Sequence, residues 1–318
     1  MERSKYIGGS DIAAICGVNP YKTPMQVYAE KLGLAAPFQG NERTRTGQEL
    51  ESFVVDVLFK KIHPLMHESL TDSEAFIDEE YPFMGGTPDR IGSSSKHNDV
   101  PGSDLCNFIL EVKTCGYHSF KKYYDTDEPP DFVVCQANWY AMLAGPSYKS
   151  IWIVVLGDTH LYKEWNIPRD EHLIQVMRDQ AISFWNNNIL SKTPPSTDGS
   201  EHCTKALAAI YPKHLTQNLD KGTQGETQIL LDLKSANEEL SIAKERVSSL
   251  ENKLRASIGS RMGIETDICR VTWKDQEKVS LNRKDLLNDP EIKKHVTPEI
   301  TSKYTKVTQM KVLRKKWL

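Results

Sequence analysis

The run Phe108-Ile109-Leu110-Glu111-Val112-Lys113 constrains the fold of this chain more than any other stretch. Its apolar residues predict a buried strand over Phe108–Lys113, yet two charges sit inside it. In a strand, residues two apart share a face, so Glu111 and Lys113 project together while Val112 turns toward the core. Charged side chains almost never go fully inside a protein without a partner or a metal. The strand must therefore present both to a site. Upstream, Thr87-Pro88-Asp89 falls within a second strand candidate, Phe83–Ile91, and Asp89 can meet Glu111 and Lys113 if the two strands pair. Carboxylates are hard oxygen ligands suited to Mg²⁺ or Mn²⁺. A lysine beside them can orient or deprotonate a water and steady charge growing on a phosphate. The bare P-D…E-x-K pattern recurs by chance on exposed strands; the apolar setting gives it weight here.

The surrounding elements read as an α/β order. Asp11–Cys16, capped near Ser10, and Pro24–Leu32, capped by Thr23, are short helices. Thr44–Ile62 carries Leu50, Phe53, Val54, Val57, Leu58 and Phe59 as a broad apolar stripe at helical spacing. Strand candidates Ala75–Ile77, Phe83–Ile91 and Phe108–Lys113 follow, with a polar loop, Ser93–Asp104, before the last. Asp131–Leu143 is a helix between Pro129-Pro130 and Gly145-Pro146. Ser150–Leu156 is a buried strand, Leu161–Ile167 its edge partner, and Asp170–Asn187 an amphipathic helix. This order implies a sheet covered on both faces. Two more polar residues lie near the charged strand in sequence order. Glu51 is on the long helix, where a solvated face is the ordinary reading. Gln136 stands among Val133, Val134 and Ala137, either as a satisfied core amide or aimed into the site.

Ser191–Ser200 is rich in Ser, Thr and Pro, which marks a linker over 191–225 after a catalytic domain over 1–190. In the appendage, 226–318, Ile229, Leu233, Ala236, Leu240, Ala243, Val247, Leu250 and Leu254 alternate at spacings of four and three, a heptad seam. It buries itself either in an antiparallel or oligomeric coiled coil or against its own domain. Beyond Gly259 come a strand-like Asp267–Trp273, a helix near Asn282–Asn288, and a basic tail with Lys303, Lys306, Lys311, Arg314, Lys315 and Lys316.

Composition excludes several classes. With 39% hydrophobic and 26% charged residues, no apolar signal core and no run of about 20 apolar residues, a soluble cytosolic protein is expected. The six cysteines form no CxxC pair, which argues against zinc knuckles, disulfide frameworks and iron–sulfur clusters. A net charge of −3 advertises no polyanionic partner, although one locally basic track suffices for DNA. His63 and His67 are separated by Pro64 and are not expected to bind metal. Asp125, Asp127, Glu128 and Asp131 read as a solvated turn, and Trp139 and Tyr140 as core or subunit interface.

The blocks Ile7-Gly8-Gly9-Ser10-Asp11-Ile12, Gly47-x-x-x-Glu51, Gly86-Thr87-Pro88-Asp89, Glu111-Val112-Lys113 and Gln136 stand together in an order similar to that of YqaJ-type viral recombinases. These are relatives of lambda exonuclease in the PD-(D/E)xK nuclease superfamily. The resemblance spans residues 3–190, and Asp198-Gly199-Ser200-Glu201, Tyr211-Pro212 and Val271-Thr272-Trp273-Lys274 resemble later segments of longer members. It implies a restriction-endonuclease-like core, a central mixed sheet flanked by helices. It further implies that Asp89 bridges two Mg²⁺ ions, for which Mn²⁺ can substitute. Glu111 and the carbonyl of Val112 would complete one ion's protein ligands, and Glu51 would help hold the other. Lys113 would act on the water, and Gln136 would orient Lys113 or the nucleophile. Arg3, Ser10 and Thr87 would surround a terminal 5′-phosphate, with Lys22 aimed at the DNA end. The implied activity is 5′→3′ exonuclease digestion of linear duplex DNA, leaving 3′ single-stranded tails for a single-strand annealing protein. A homo-oligomer, a trimeric ring in relatives, and the cytoplasm of a bacterium hosting a phage or mobile element complete the expectation. The competing readings are a restriction-like or structure-specific endonuclease using the same residues, and a non-catalytic DNA-end-binding scaffold. The presence of all five site residues speaks against the last.

Overall fold

A computed structural model of the chain describes residues 2–35, 40, 42–67, 69–93, 107–158, 160–212, 219–275, 286, 289–297, 300 and 302. The chain divides into two compact units, 1–213 and 214–318.

In the first unit, strands β1 (Thr71–Asp72), β2 (Phe76–Ile77), β3 (Gly85–Gly86), β4 (Arg90–Ser93), β5 (Asn107–Cys115), β6 (Tyr148–Gly157) and β7 (Leu161–Pro168) make two sheets. Five of them form a mixed sheet in the order β1-β4-β5-β6-β7, while β2 and β3 pair separately. Only β5 and β6 run parallel within the larger sheet. Alternation along β5 decides what each face receives. Phe108, Leu110 and Val112 pack with Val54, Val55, Phe59, Val154 and Leu156 under the long helix. Ile109 joins Ile151, Ile153 and Val155 in the larger core on the other face. Glu111 and Lys113 share that second face by the same period of two.

The larger core is covered by helices α1 (Gly9–Ile15), α2 (Pro24–Lys31), α5 (Asp131–Ala144) and α6 (Glu171–Phe184). The opposite face carries α3 (Glu42–Phe53), which continues through a wider π turn, Val54–Phe59, into Lys60–Ile62. The mixed sheet flanked by helices is the architecture expected. Local caps follow the sequence. The Thr23 hydroxyl accepts from Gln26 N–H at 3.3 Å, with Pro24 opening α2. Gly8, not Ser10, precedes α1, and the Asp11 carboxylate accepts the Gly8 N–H at 3.1 Å.

Several boundaries differ from expectation. The single strand expected over Phe83–Ile91 is two strands, β3 and β4, interrupted at Thr87-Pro88-Asp89, where Pro88 has no N–H to give a ladder. A helix α4 (Tyr117–Tyr123) follows Gly116, and the two-residue β1 at the sheet edge is too short for alternation to reveal. The stretch 191–225 is not wholly linker. It contains α7 (Glu201–Ile210), capped by Ser200, with Cys203 and Ala206 buried in the larger core. The Tyr28 hydroxyl donates to the Lys192 carbonyl at 2.8 Å, tying this stretch to α2. One short amphipathic helix inside a Ser/Thr/Pro-rich run therefore carries the first unit past 190.

The second unit holds α8 (Gln224–Ile258), opened by a reciprocal Thr223–Glu226 cap, and an antiparallel pair, β8 (Gly263–Glu265) and β9 (Arg270–Thr272). Most of the loop before β5, the helix expected near Asn282–Asn288 (Leu286 apart) and the basic tail from Lys303 lie outside the described residues. Among the described residues no helix is long and apolar enough to cross a membrane.

Candidate active site

Antiparallel pairing sets Arg90 opposite Leu110, which brings Asp89 alongside Glu111 and Val112. The Asp89 Oδ2 accepts the Val112 N–H at 2.7 Å. Glu111 is fully buried, and its Oε1 accepts from Lys113 Nζ and, at 2.7 Å, from Gln136 Nε2. Its Oε2 is buried with no hydrogen-bond partner. Asp89, Glu111, Lys113 and Gln136 thus form one cluster from β5, α5 and the residue just before β4, as the alternation in β5 requires.

Glu51 enters from α3. A Cβ on Gly47 would lie 2.9 Å from Thr114 Oγ1, so glycine there lets α3 approach β5 one turn before Glu51. The Glu51 carboxylate accepts from Arg90 Nη1 at 3.0 Å. Arg90 also donates to the Asp89 carbonyl at 2.6 Å and pairs with Asp72 at 3.2 Å. Sequence reasoning did not single out Arg90, although its place directly after Asp89 is a usable signal.

Tyr140 was also missed as a site residue. Gln136 Nε2 donates to its hydroxyl at 3.2 Å, one helical turn along α5. A Cβ on Gly9 would lie 2.8 Å from Tyr140 Cζ and 2.8 Å from Gln136 Cγ, and one on Gly86 would lie 2.6 Å from Tyr140 Cε1. Two glycines from separate motif blocks therefore clear space for one ring. Tyr140 is core, as expected, and also the support of Gln136.

Burial dominates the electrostatics. It pushes Glu111 up to about 8, helped by the Asp89 carboxylate and opposed by Lys113. Asp89 and Glu51 are raised for the same first reason, against the pull of Lys113 and the Val112 N–H on Asp89 and of Arg90 on Glu51. Burial acts to lower Lys113, but Glu111 and Asp89 outweigh it and hold the ammonium charged. Burial raises all three carboxylates, Asp89 further raises Glu51 and Glu111, and one buried Glu111 oxygen is unpartnered, a donor set whose chemistry suits a hard divalent cation. Among the described residues no three His, Cys, Asp or Glu side chains stand as a ready cage; Glu51 is engaged by Arg90. His63 pairs with Glu164 at 2.9 Å, and the His67 side chain lies outside the described residues.

Near the N-terminus, Arg3 Nη2 donates to Ser10 Oγ at 2.9 Å. The Ile7 N–H donates to the Phe83 carbonyl and the Gly85 N–H to the Ile7 carbonyl, joining this segment to β3, beyond which Thr87 is exposed. Lys22 is not a free cation. It pairs with Asp11 at 2.7 Å and Glu30 at 2.5 Å, while Lys31 pairs with Asp11 at 2.7 Å and donates to the Arg3 carbonyl at 2.6 Å. Asp11, buried yet facing two ammonium groups, is lowered to about 2 because those charges overcome the upward push of burial.

Comparison with known proteins bears on the same region. Residues 1–147 match the YqaJ-like viral recombinase domain, and Glu51, Asp89, Glu111, Lys113 and Gln136 all lie inside that match. An uncharacterized protein, YqaJ, of Bacillus subtilis (strain 168) is 28% identical over 263 residues, 80% of this chain and 73% of that protein. Similar solved structures include an alkaline exonuclease from Laribacter hongkongensis in complex with dAMP, 14% identical with a TM-score of 0.46 over 59% of this chain and 90% of that one. Another is a phage-related exonuclease from Haemophilus somnus 129PT, 15% identical with a TM-score of 0.39 over 59% and 96%. Residues 1–147 of this chain are thus similar to the YqaJ-like viral recombinase domain.

Proposed function

We propose that this chain is a metal-dependent exonuclease that digests one strand of linear duplex DNA in the 5′→3′ direction and leaves 3′ single-stranded tails. The observation that carries the reading is Glu111, buried in an apolar strand with one oxygen unpartnered, beside Asp89 and a charged Lys113. The similarity of residues 1–147 to a viral recombinase domain accords with it.

Asp89, Glu111, the Val112 carbonyl and Glu51 would hold two Mg²⁺ ions, with Mn²⁺ able to substitute. Such ions, when bound, supply an activated water and neutralise charge developing on the phosphate. Glu111 must lose its proton to serve, so its elevated proton affinity favours occupation at neutral to alkaline pH. Lys113, kept as an ammonium by its carboxylate neighbours, orients the attacking water and donates to the phosphate rather than removing a proton. Gln136, braced by Tyr140, fixes the Glu111 carboxylate. Arg3 and Ser10, already in contact, offer a guanidinium and a hydroxyl to a terminal 5′-phosphate, with Thr87 as a further hydroxyl. Lys22 would reach a DNA end only by leaving Asp11 and Glu30. The product tails would pass to a single-strand annealing protein, the enzyme acting as a homo-oligomer, a trimer by family resemblance, in a bacterial cytoplasm.

Digestion of end-labelled linear duplex with Mg²⁺ tests this. A 5′ label should appear at once in mononucleotides while a 3′ label stays on long strands. The reverse order refutes the direction, and cleavage of covalently closed circular DNA replaces the exonuclease with an endonuclease using the same residues.

A further inference from the structure

Helix α8, 35 residues long, leaves most of its apolar seam exposed, with Leu233 and Leu254 partly buried. Ile229 is 66% exposed, Leu240 51%, Val247 56% and Leu250 55%. The helix is solvated around its other side as well, so no second face of the same helix accounts for the seam. Helices of this kind owe their stability to packing of the apolar stripe rather than to propensity. The seam has the four-three spacing of a coiled coil, and the remaining question is what it pairs with.

We infer that α8 pairs with α8 of a second copy of this chain, running antiparallel about a two-fold axis between Leu240 and Ala243. Side-chain size carries the first half of the argument. Reversed about that point, Leu240 meets the second copy's Ala243 and Val247 meets its Ala236, while Leu233 meets Leu250 and Ile229 meets Leu254. Each central layer then holds one large and one small residue, and each outer layer two large ones. A parallel pair instead stacks alanine on alanine at 236 and at 243 between layers of leucine or valine, which leaves voids that close packing disfavours.

Charge carries the second half. The residues just before Leu233, Leu240, Val247 and Leu254 flank the seam; they are Asp232, Glu239, Arg246 and Lys253. Their first half is acidic and their second basic, so the row complements itself when reversed. Glu239 faces the second copy's Arg246, Asp232 faces its Lys253, and the two-fold repeats both pairs. On the other flank Leu230, Asn237, Lys244 and Glu251 meet with no like charges opposed. A parallel pair would set Glu239 against Lys244 and Arg246 against Glu251, but Glu251 already pairs with Arg255 at 2.9 Å within the helix. The antiparallel contact is isologous and closes on itself. It does not depend on the nuclease reading.

The test uses the full chain and its molar mass by light scattering or sedimentation. Glu239→Arg, at an exposed position, opposes like charges twice across the axis and should weaken pairing on the order of tenfold or more. At a protein concentration between the two dissociation constants the mass should fall by half, from two chains to one or, if the nuclease units form trimers, from six chains to three, with helix content by circular dichroism unchanged. Glu239→Arg combined with Arg246→Glu should restore the wild-type mass. In a parallel coil the double variant would oppose like charges at both Lys244 and Glu251 and dissociate further. That result, or a mass indifferent to Glu239→Arg, overturns the antiparallel pair.

Discussion

Gly86→Ala should damage this protein through Tyr140, at a site where no charge changes. The added Cβ would lie 2.6 Å from Tyr140 Cε1 and 3.0 Å from Cδ1. The ring has little room to retreat, because a Cβ on Gly9 would already be 2.8 Å from Cζ and 2.9 Å from the hydroxyl. Nor can β3 back away freely, since its Gly85 carbonyl accepts from Trp139 Nε1 at 3.1 Å. Overpacking of this kind costs about 1–3 kcal/mol. For a unit of this size each kcal/mol moves the melting temperature by about 2–4 °C, so a fall of about 4–8 °C is expected for a mid-range cost. Displacing Tyr140 also moves Gln136, and misplacing a positioning group by an ångström can cost about a hundredfold in rate. Thermal melting and mononucleotide release from linear duplex measure both effects. Tyr140→Ala removes the obstructing ring, so the double variant should be less destabilised than the sum of the two singles. If Gly86→Ala melts within about one degree of wild type and cuts normally, the packing account of this glycine is wrong.

Other outcomes follow from the same contacts. Asp11→Asn leaves Lys22 and Lys31 without their shared carboxylate and should cost about 3–5 kcal/mol in a denaturant titration. Because the folded Asp11 is depressed from 3.8 to about 2, its contribution is fully present above pH about 4 and fades as pH falls toward 2, a loss of about 2 kcal/mol that the variant should not show. Arg3→Ala should slow initiation on 5′-phosphorylated ends and leave 5′-hydroxyl ends unaffected; equal slowing on both would remove Arg3 from the phosphate pocket. A chain ending at Pro212 should keep metal-dependent cleavage of short duplexes, whereas one ending at Asn188 loses Cys203 and Ala206 from the core and should be less stable.

The site was more legible in the sequence than its supports. Glu111 and Lys113 stand out because a period-two strand leaves no other face for them, and Asp89 follows from the pairing of β4 with β5. Gln136 was ambiguous between core amide and site, and the structure shows it donating to Glu111. Tyr140 was hidden because a buried aromatic on an apolar helix reads as core, and only the close approach of Gly9 and Gly86 reveals its second role. Lys22 was expected to face DNA, but Asp11 on α1 and Glu30 on α2, the helices either side of it, claim it. The helix Glu201–Ile210 escaped notice since turn-forming residues on either side masked its short amphipathic pattern. Arg90, whose guanidinium ties Glu51, Asp72 and the Asp89 carbonyl together, follows Asp89 directly, but its three partners come from separate elements that this adjacency does not name.

The central claim is that Glu111 is a ligand at a hydrolytic metal centre and not a buried structural ion pair. Glu111→Gln retains the shape of the side chain and an oxygen for Gln136 but removes the negative charge. The decisive measurement is Mg²⁺-dependent mononucleotide release from linear duplex DNA by this variant, with duplex binding measured in parallel. The account predicts a loss on the order of a thousandfold in release with binding retained. A release rate near that of wild type would contradict it.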